Sequence, residues 1–187
     1  MKQIIFLSLL AILFLSGCSL SPKPNNESNP LKNGIVNNLN KTYSSKKYGL
    51  EVTYPNDWSI DSETPGWIVV KPNAQIDPNS NPDDGTIVIT TFQKSQKTVE
   101  QYMSELNSST GTKNNDVYKF IGKVNVGDKN IEGILTQGGC CGLFGKHIFV
   151  SENGRIFQIT LRGTAESSEF QNESVFNEIV KNIRFVE

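Results

Sequence analysis

The chain has one histidine, and that scarcity narrows its chemistry before anything else is read. A single imidazole leaves few routes for general acid–base catalysis near neutral pH. Cysteine is almost as rare, with three residues, Cys18, Cys140 and Cys141. Three thiols, two of them adjacent, do not staple a disulfide scaffold. Charge of neither sign dominates, with 18 basic and 19 acidic residues in 187. That balance gives no basic face for nucleic acid, and no nucleic-acid partner is expected. Beyond residue 18 no apolar run exceeds a few residues, too few for a spanning helix. G-x-S-x-G, P-loop, dinucleotide-fingerprint and H-E-x-x-H patterns are all missing. The composition therefore points away from an enzyme, and no cofactor is expected.

What is present is strongest at the start. Lys2 precedes a nearly continuous apolar run, Ile4 to Leu15, which stops at Leu15-Ser16-Gly17-Cys18. The run is shorter than the roughly 20 residues a bilayer-spanning helix needs and fits the core of an export signal. Small residues before a cysteine, placed where the apolar run ends, resemble the lipobox of a bacterial lipoprotein signal peptide. That resemblance implies cleavage before Cys18, diacylation of its thiol and usually a further acyl chain on the new amino terminus. Two or three chains make anchoring durable where one is marginal. Membrane lipid, reached through acylated Cys18, is thus the first expected partner. An extracytoplasmic location follows, on the cell membrane or on an outer membrane if there is one. With residues 1–17 removed, Lys2 goes too, leaving 17 basic against 19 acidic residues. The lipid would then be the only membrane device, and Cys140 with Cys141 the only thiols.

Residues 18–46 follow as lipidated terminus and spacer. Asparagine, serine, proline and lysine dominate 19–46 without a helical or strand period, a flexible-linker composition. A short strand or helix near Ile35 to Leu39 is the one alternative in it. A single domain is expected over 47–187, long enough for a real core.

Within it, Tyr48-Gly49-Leu50-Glu51-Val52-Thr53-Tyr54 alternates apolar and polar and stops at the Pro55-Asn56-Asp57 turn cluster. Trp58 to Ile60, Trp67 to Lys71 and Thr86 to Phe92 read as further strands. The period then changes: Val99, Tyr102, Met103 and Leu106 mark one face of a helix, with Thr98 and Gln101 as its capping box. Tyr118–Val124 and Asn130–Thr136 read as strands joined at Gly127-Asp128-Lys129. His147–Val150 and Arg155–Leu161 flank Glu152-Asn153-Gly154, a strong hairpin signal. A second helix runs from about Ser167 or Asn172 to Asn182, with Phe176, Ile179, Val180 and Ile183 on one face. Two helices with single apolar stripes need a sheet to cover, so the class is α+β, an antiparallel sheet covered by helices.

These residues carry a second resemblance. Tyr48 to Trp58, reading YGLEVTYPNDW, is similar to the opening of PsbP-like domains, with Leu50 where an aromatic is common. Gly154 to Thr160 resembles their late strand, with Phe157 in place of tyrosine, and Phe176 to Phe185 resembles their terminal helix and aromatic close. The resemblance covers essentially the whole domain and implies an α-β-α sandwich. The best-known members are extrinsic photosystem II subunits. No residue matched here is a metal or photosystem contact, so the fold is implied and that role is not.

Several constellations carry chemistry in outline. Tyr54, Trp58 and Trp67 could line an aromatic cleft, although aromatics in strands more often belong to a core or its rim. Asp77, Asn79, Asn81 and Asp83 have the spacing of a calcium loop, but Pro82 and Val88 stand where glycine and glutamate belong. Residues 77–85 read rather as a plain solvated loop, since Asn, Pro and Asp are ordinary turn formers. Cys140 and Cys141, inside Gly138-Gly139-Cys140-Cys141-Gly142, read as a vicinal disulfide or as free or partly buried thiols. Such a disulfide closes almost no loop and adds little chain-entropy stabilisation. With His147 the pair could hold zinc or form a thiol nucleophile, but no fourth ligand or orienting group is evident. No catalytic or metal-binding residue is assigned. Glu132 and Glu152 read as surface charge. The expected function is a membrane-anchored, non-catalytic envelope lipoprotein that binds an envelope protein or surface component. The alternatives are a small-ligand or metal-ion (calcium or zinc) module and, less favoured, a thiol enzyme or hydrolase.

Overall fold

Alternating segments fold as strands and the two periodic segments as helices. The computed structural model describes residues 39–60, 66–73, 85–91, 96–109, 117–139, 144–163, 170 and 172–187, all within the unit Ile35–Glu187. In chain order they form β1 (Leu39–Ser45), β2 (Leu50–Pro55), β3 (Trp58–Ile60), β4 (Trp67–Pro72) and β5 (Ile87–Thr91). Helix α1 (Val99–Ser109) follows, then β6 (Tyr118–Val126), β7 (Ile131–Gly138), β8 (Gly145–Glu152) and β9 (Arg155–Arg162). Helix α2 (Glu173–Asn182) and β10 (Arg184–Phe185) close the chain. The fold is mainly antiparallel sheet with two helices.

Two sheets form where one was expected. A seven-stranded antiparallel sheet has the order β3-β4-β5-β9-β8-β7-β6, and a three-stranded one the order β1-β2-β10. The expected spacer over 18–46 is corrected at its end, because Leu39–Ser45 is strand β1, registered against β2 from Leu39↔Pro55 to Ser45↔Leu50. Its sequence, LNKTYSS, is too polar to announce a strand. Pairing with β2 supplies its backbone partners, and Leu39 and Tyr43 pack against the core.

Local signals explain the joints. Asn153 and Gly154 take φ of 50° and 69°, the left-handed pair that a two-residue hairpin requires. Thr98 and Gln101 form the reciprocal capping box of α1: the Thr98 amide donates to Gln101 Oε1 at 3.0 Å and the Gln101 amide to Thr98 Oγ1 at 3.2 Å. Helix α2 opens differently. Asn172 is left-handed and makes no side-chain cap, and its Nδ2 donates to the Gly85 carbonyl at 3.1 Å.

The two faces of the large sheet differ. Ile148 and Val150 of β8 join Ile87, Ile89, Phe157, Ile159, Leu161 and the α2 residues Phe176, Ile179 and Val180 in one apolar core. Leu50 and Val52 of β2 close that core from the small sheet. Phe149, on the opposite face of β8, packs instead with Tyr118 and with Val99 and Met103 of α1. Alternation along one strand thus sends its side chains to two separate helices.

Candidate functional site

Strand pairing lays three polar residues side by side on the α1 face. Thr136 of β7 faces His147 of β8, which faces Thr160 of β9, and Gln158 lies one row along opposite Phe149. Thr136, His147, Gln158 and Thr160 are all buried, at 0, 0, 8 and 3% exposure. Buried polar groups require partners, and His147 has them on both sides of its ring. Nε2 lies 2.9 Å from the Gly138 carbonyl, which can only accept, so Nε2 carries the proton. Nδ1 is left as the acceptor and receives the Thr160 hydroxyl at 2.9 Å and the Gln158 amide nitrogen at 3.1 Å. The Tyr118 ring meets the imidazole edge-on, with centroids 4.9 Å apart. Burial pushes the His147 pKa down to about 4, partly opposed by the bond to the Gly138 carbonyl. The ring is a neutral hydrogen-bond bridge.

That bridge holds a crowded loop base. Gly138 has φ of 134°, and a Cβ there would sit 2.0 Å from the Val117 carbonyl oxygen. The Gly139 amide donates to that same oxygen at 2.8 Å. His147, Val117 and glycine together set where β7 ends. Thr136 is the exception in the cluster, since its buried hydroxyl makes no hydrogen bond among the described residues.

Of the other expected site residues, only some are described. Cys18, Cys140, Cys141 and residues 77–84 lie outside the described residues. His147 does not offer Nε2 to zinc or to a thiol, because that nitrogen donates to Gly138. Among the described residues no group of three or more His, Cys, Asp or Glu is placed to hold a metal. Gly85, the end of the candidate calcium loop, uses its amide on the Arg162 carbonyl and its carbonyl on Asn172. Trp58 is buried in the α2-side core, whereas Trp67 lies on the other sheet face and is 37% exposed, so no aromatic cleft joins them. Glu132 pairs with Lys123 and Glu152 with Lys129, as surface charges do. Gln158 and Thr160 were legible as the polar half of a period-2 strand, a pattern that ordinarily marks a solvent face.

No protein-family model and no curated protein matches the chain. Among solved structures the chain is similar to the solution structure of cyanobacterial PsbP from Synechocystis sp. PCC 6803. Identity is 14%, the match covers 78% of this chain and 91% of that one, and the TM-score is 0.46. It is also similar to a crystal structure from Bacteroides thetaiotaomicron VPI-5482, at 12% identity and TM-score 0.46, covering 80% of this chain and 50% of that one.

Proposed function

We propose that this protein is a membrane-anchored, non-catalytic lipoprotein of the cell envelope whose folded domain serves as a binding or accessory module. The observation that carries the reading is the state of His147. The only side chain in the sequence that ordinarily titrates near neutrality is fully buried, neutral and hydrogen-bonded at both nitrogens. A group so placed positions a loop base and does not exchange protons with a substrate. Anchoring rests on the apolar opening segment and on Leu15-Ser16-Gly17-Cys18. The arrangement of the domain is the α-β-α sandwich of PsbP-like domains, a reading supported by the separate α1 and α2 clusters.

The test is photo-crosslinking of the full-length protein in intact envelopes, compared with a variant whose core is broken by Phe176→Asp with Ile179→Asp, two unpaired charges at fully buried positions. A specific adduct that disappears when the domain unfolds supports the reading. Identical adducts from the folded and unfolded chains would sink it.

A further inference from the structure

The sequence offers the acyl chains as the sole membrane device, and the folded domain suggests a second. Strand β6 ends the seven-stranded sheet, and its register slips between Phe120 and Gly122, leaving Ile121 as an extra residue. Phe120 is 59% and Ile121 47% exposed, two of the three large apolar side chains exposed among the described residues. A bulge re-aims side chains, and here two successive apolar ones reach solvent at one place. Gly122 beside them has open space where a Cβ would stand. Exposed lysines, Lys119 and Lys123, flank the pair.

We propose that this edge of β6 rests on the membrane surface, with Phe120 and Ile121 entering the headgroup boundary and Lys119 and Lys123 meeting lipid phosphates. The proposal builds on the anchored reading above. Size argues for lipid over protein. Two half-exposed side chains offer on the order of 200 Å² of apolar surface, against the roughly 1,000 Å² that a stable protein interface buries. A contact that small is useful only to a domain already held nearby, where the second contact is effectively intramolecular. Residues 19–38 span at most about 70 Å fully extended, so an anchored domain stays within reach of the bilayer. Strand addition is a poor competitor, because a bulge disrupts the ladder that a second chain would need to extend. Lys123 bonds Glu132 at 2.7 Å, but both side chains are mostly exposed, and such pairs exchange readily for another anion.

The experiment uses the full lipidated chain in vesicles of phosphatidylcholine with one-third phosphatidylglycerol, carrying Phe120→Trp. Flotation is measured first, then quenching by lipids brominated in the upper acyl chain. The native tryptophans of the parent chain, Trp58 buried and Trp67 on β4, supply the baseline. The expected result is blue-shifted emission from the added tryptophan, quenched at least twofold more than the baseline. Lys119→Glu with Lys123→Glu should cut that quenching by half or more. A floating chain whose added tryptophan stays water-like and unquenched overturns the membrane contact alone. A blue shift without bromine quenching means that protein, a second copy included, covers the patch, and it also overturns the proposal. A chain that does not float overturns the anchor and takes this contact with it.

Discussion

His147 divides its two nitrogens between opposite duties, donating through Nε2 and accepting through Nδ1. Protonation would place a second donor opposite the Gln158 amide and a charge in a fully buried site. The folded pKa of about 4 lies below the ordinary 6.5, so the unfolded chain takes up the proton first. Stability from this group is therefore complete above pH 6.5 and drains away as pH falls toward 4. The loss amounts to about 3 kcal/mol by linkage. Because the sequence has one histidine, the part of the loss between pH 6.5 and 5 belongs to His147 and precedes carboxylate titration. Urea unfolding across that range is the check, and an unchanged midpoint would contradict the assignment. Two threonine substitutions of identical chemistry should have opposite signs. Thr136→Val removes a buried hydroxyl with no partner among the described residues and should be neutral or stabilise by up to about 1 kcal/mol. Thr160→Val takes a donor from Nδ1 and should cost about 1–2 kcal/mol. Equal losses in both variants, measured by denaturant unfolding, would mean that Thr136 has a partner of its own.

Among the elements, α1 depends on local chemistry and α2 on packing. Helix α1 is capped reciprocally by Thr98 and Gln101, so Thr98→Ala should cost about 1 kcal/mol, read from the unfolding midpoint. Helix α2 lacks a side-chain cap and is held by Phe176, Ile179 and Val180 in the main core. Phe176→Ala should therefore cost about 3–5 kcal/mol, several times the capping loss, in the same measurement. Most elements were legible because each has a local cause: Asn153-Gly154 for the β8–β9 hairpin, the stripe from Val99 to Leu106 for α1. Strand β1 was not, because LNKTYSS has no strand signal and its order comes from β2. The polar cluster was half legible. Gln158 and Thr160 alternate with apolar residues in the sequence, but alternation reports which residues share a face and not whether that face meets water.

At the scale of the whole molecule the proposed anchor carries the prediction. Cys18→Ala should shift the protein from the membrane fraction to the soluble or uncleaved pool and abolish incorporation of a clickable palmitate analogue. Unchanged labelling would place the acyl chain elsewhere. Among the described residues no helix is long and apolar enough to cross a membrane. The sequence alone holds the apolar run that ends at Leu15-Ser16-Gly17-Cys18, and it determined the order of strands and helices and the scarcity of titrating groups. Those properties live in contiguous residues and their spacing. Tertiary structure decided that His147 is buried and neutral, that polar Gln158 and Thr160 face inward, and that Phe120 and Ile121 face outward. Each of those depends on which strands become neighbours, on the bulge in β6 and on which helix covers which face. Such choices are made between residues far apart in the chain, where local periodicity has no bearing.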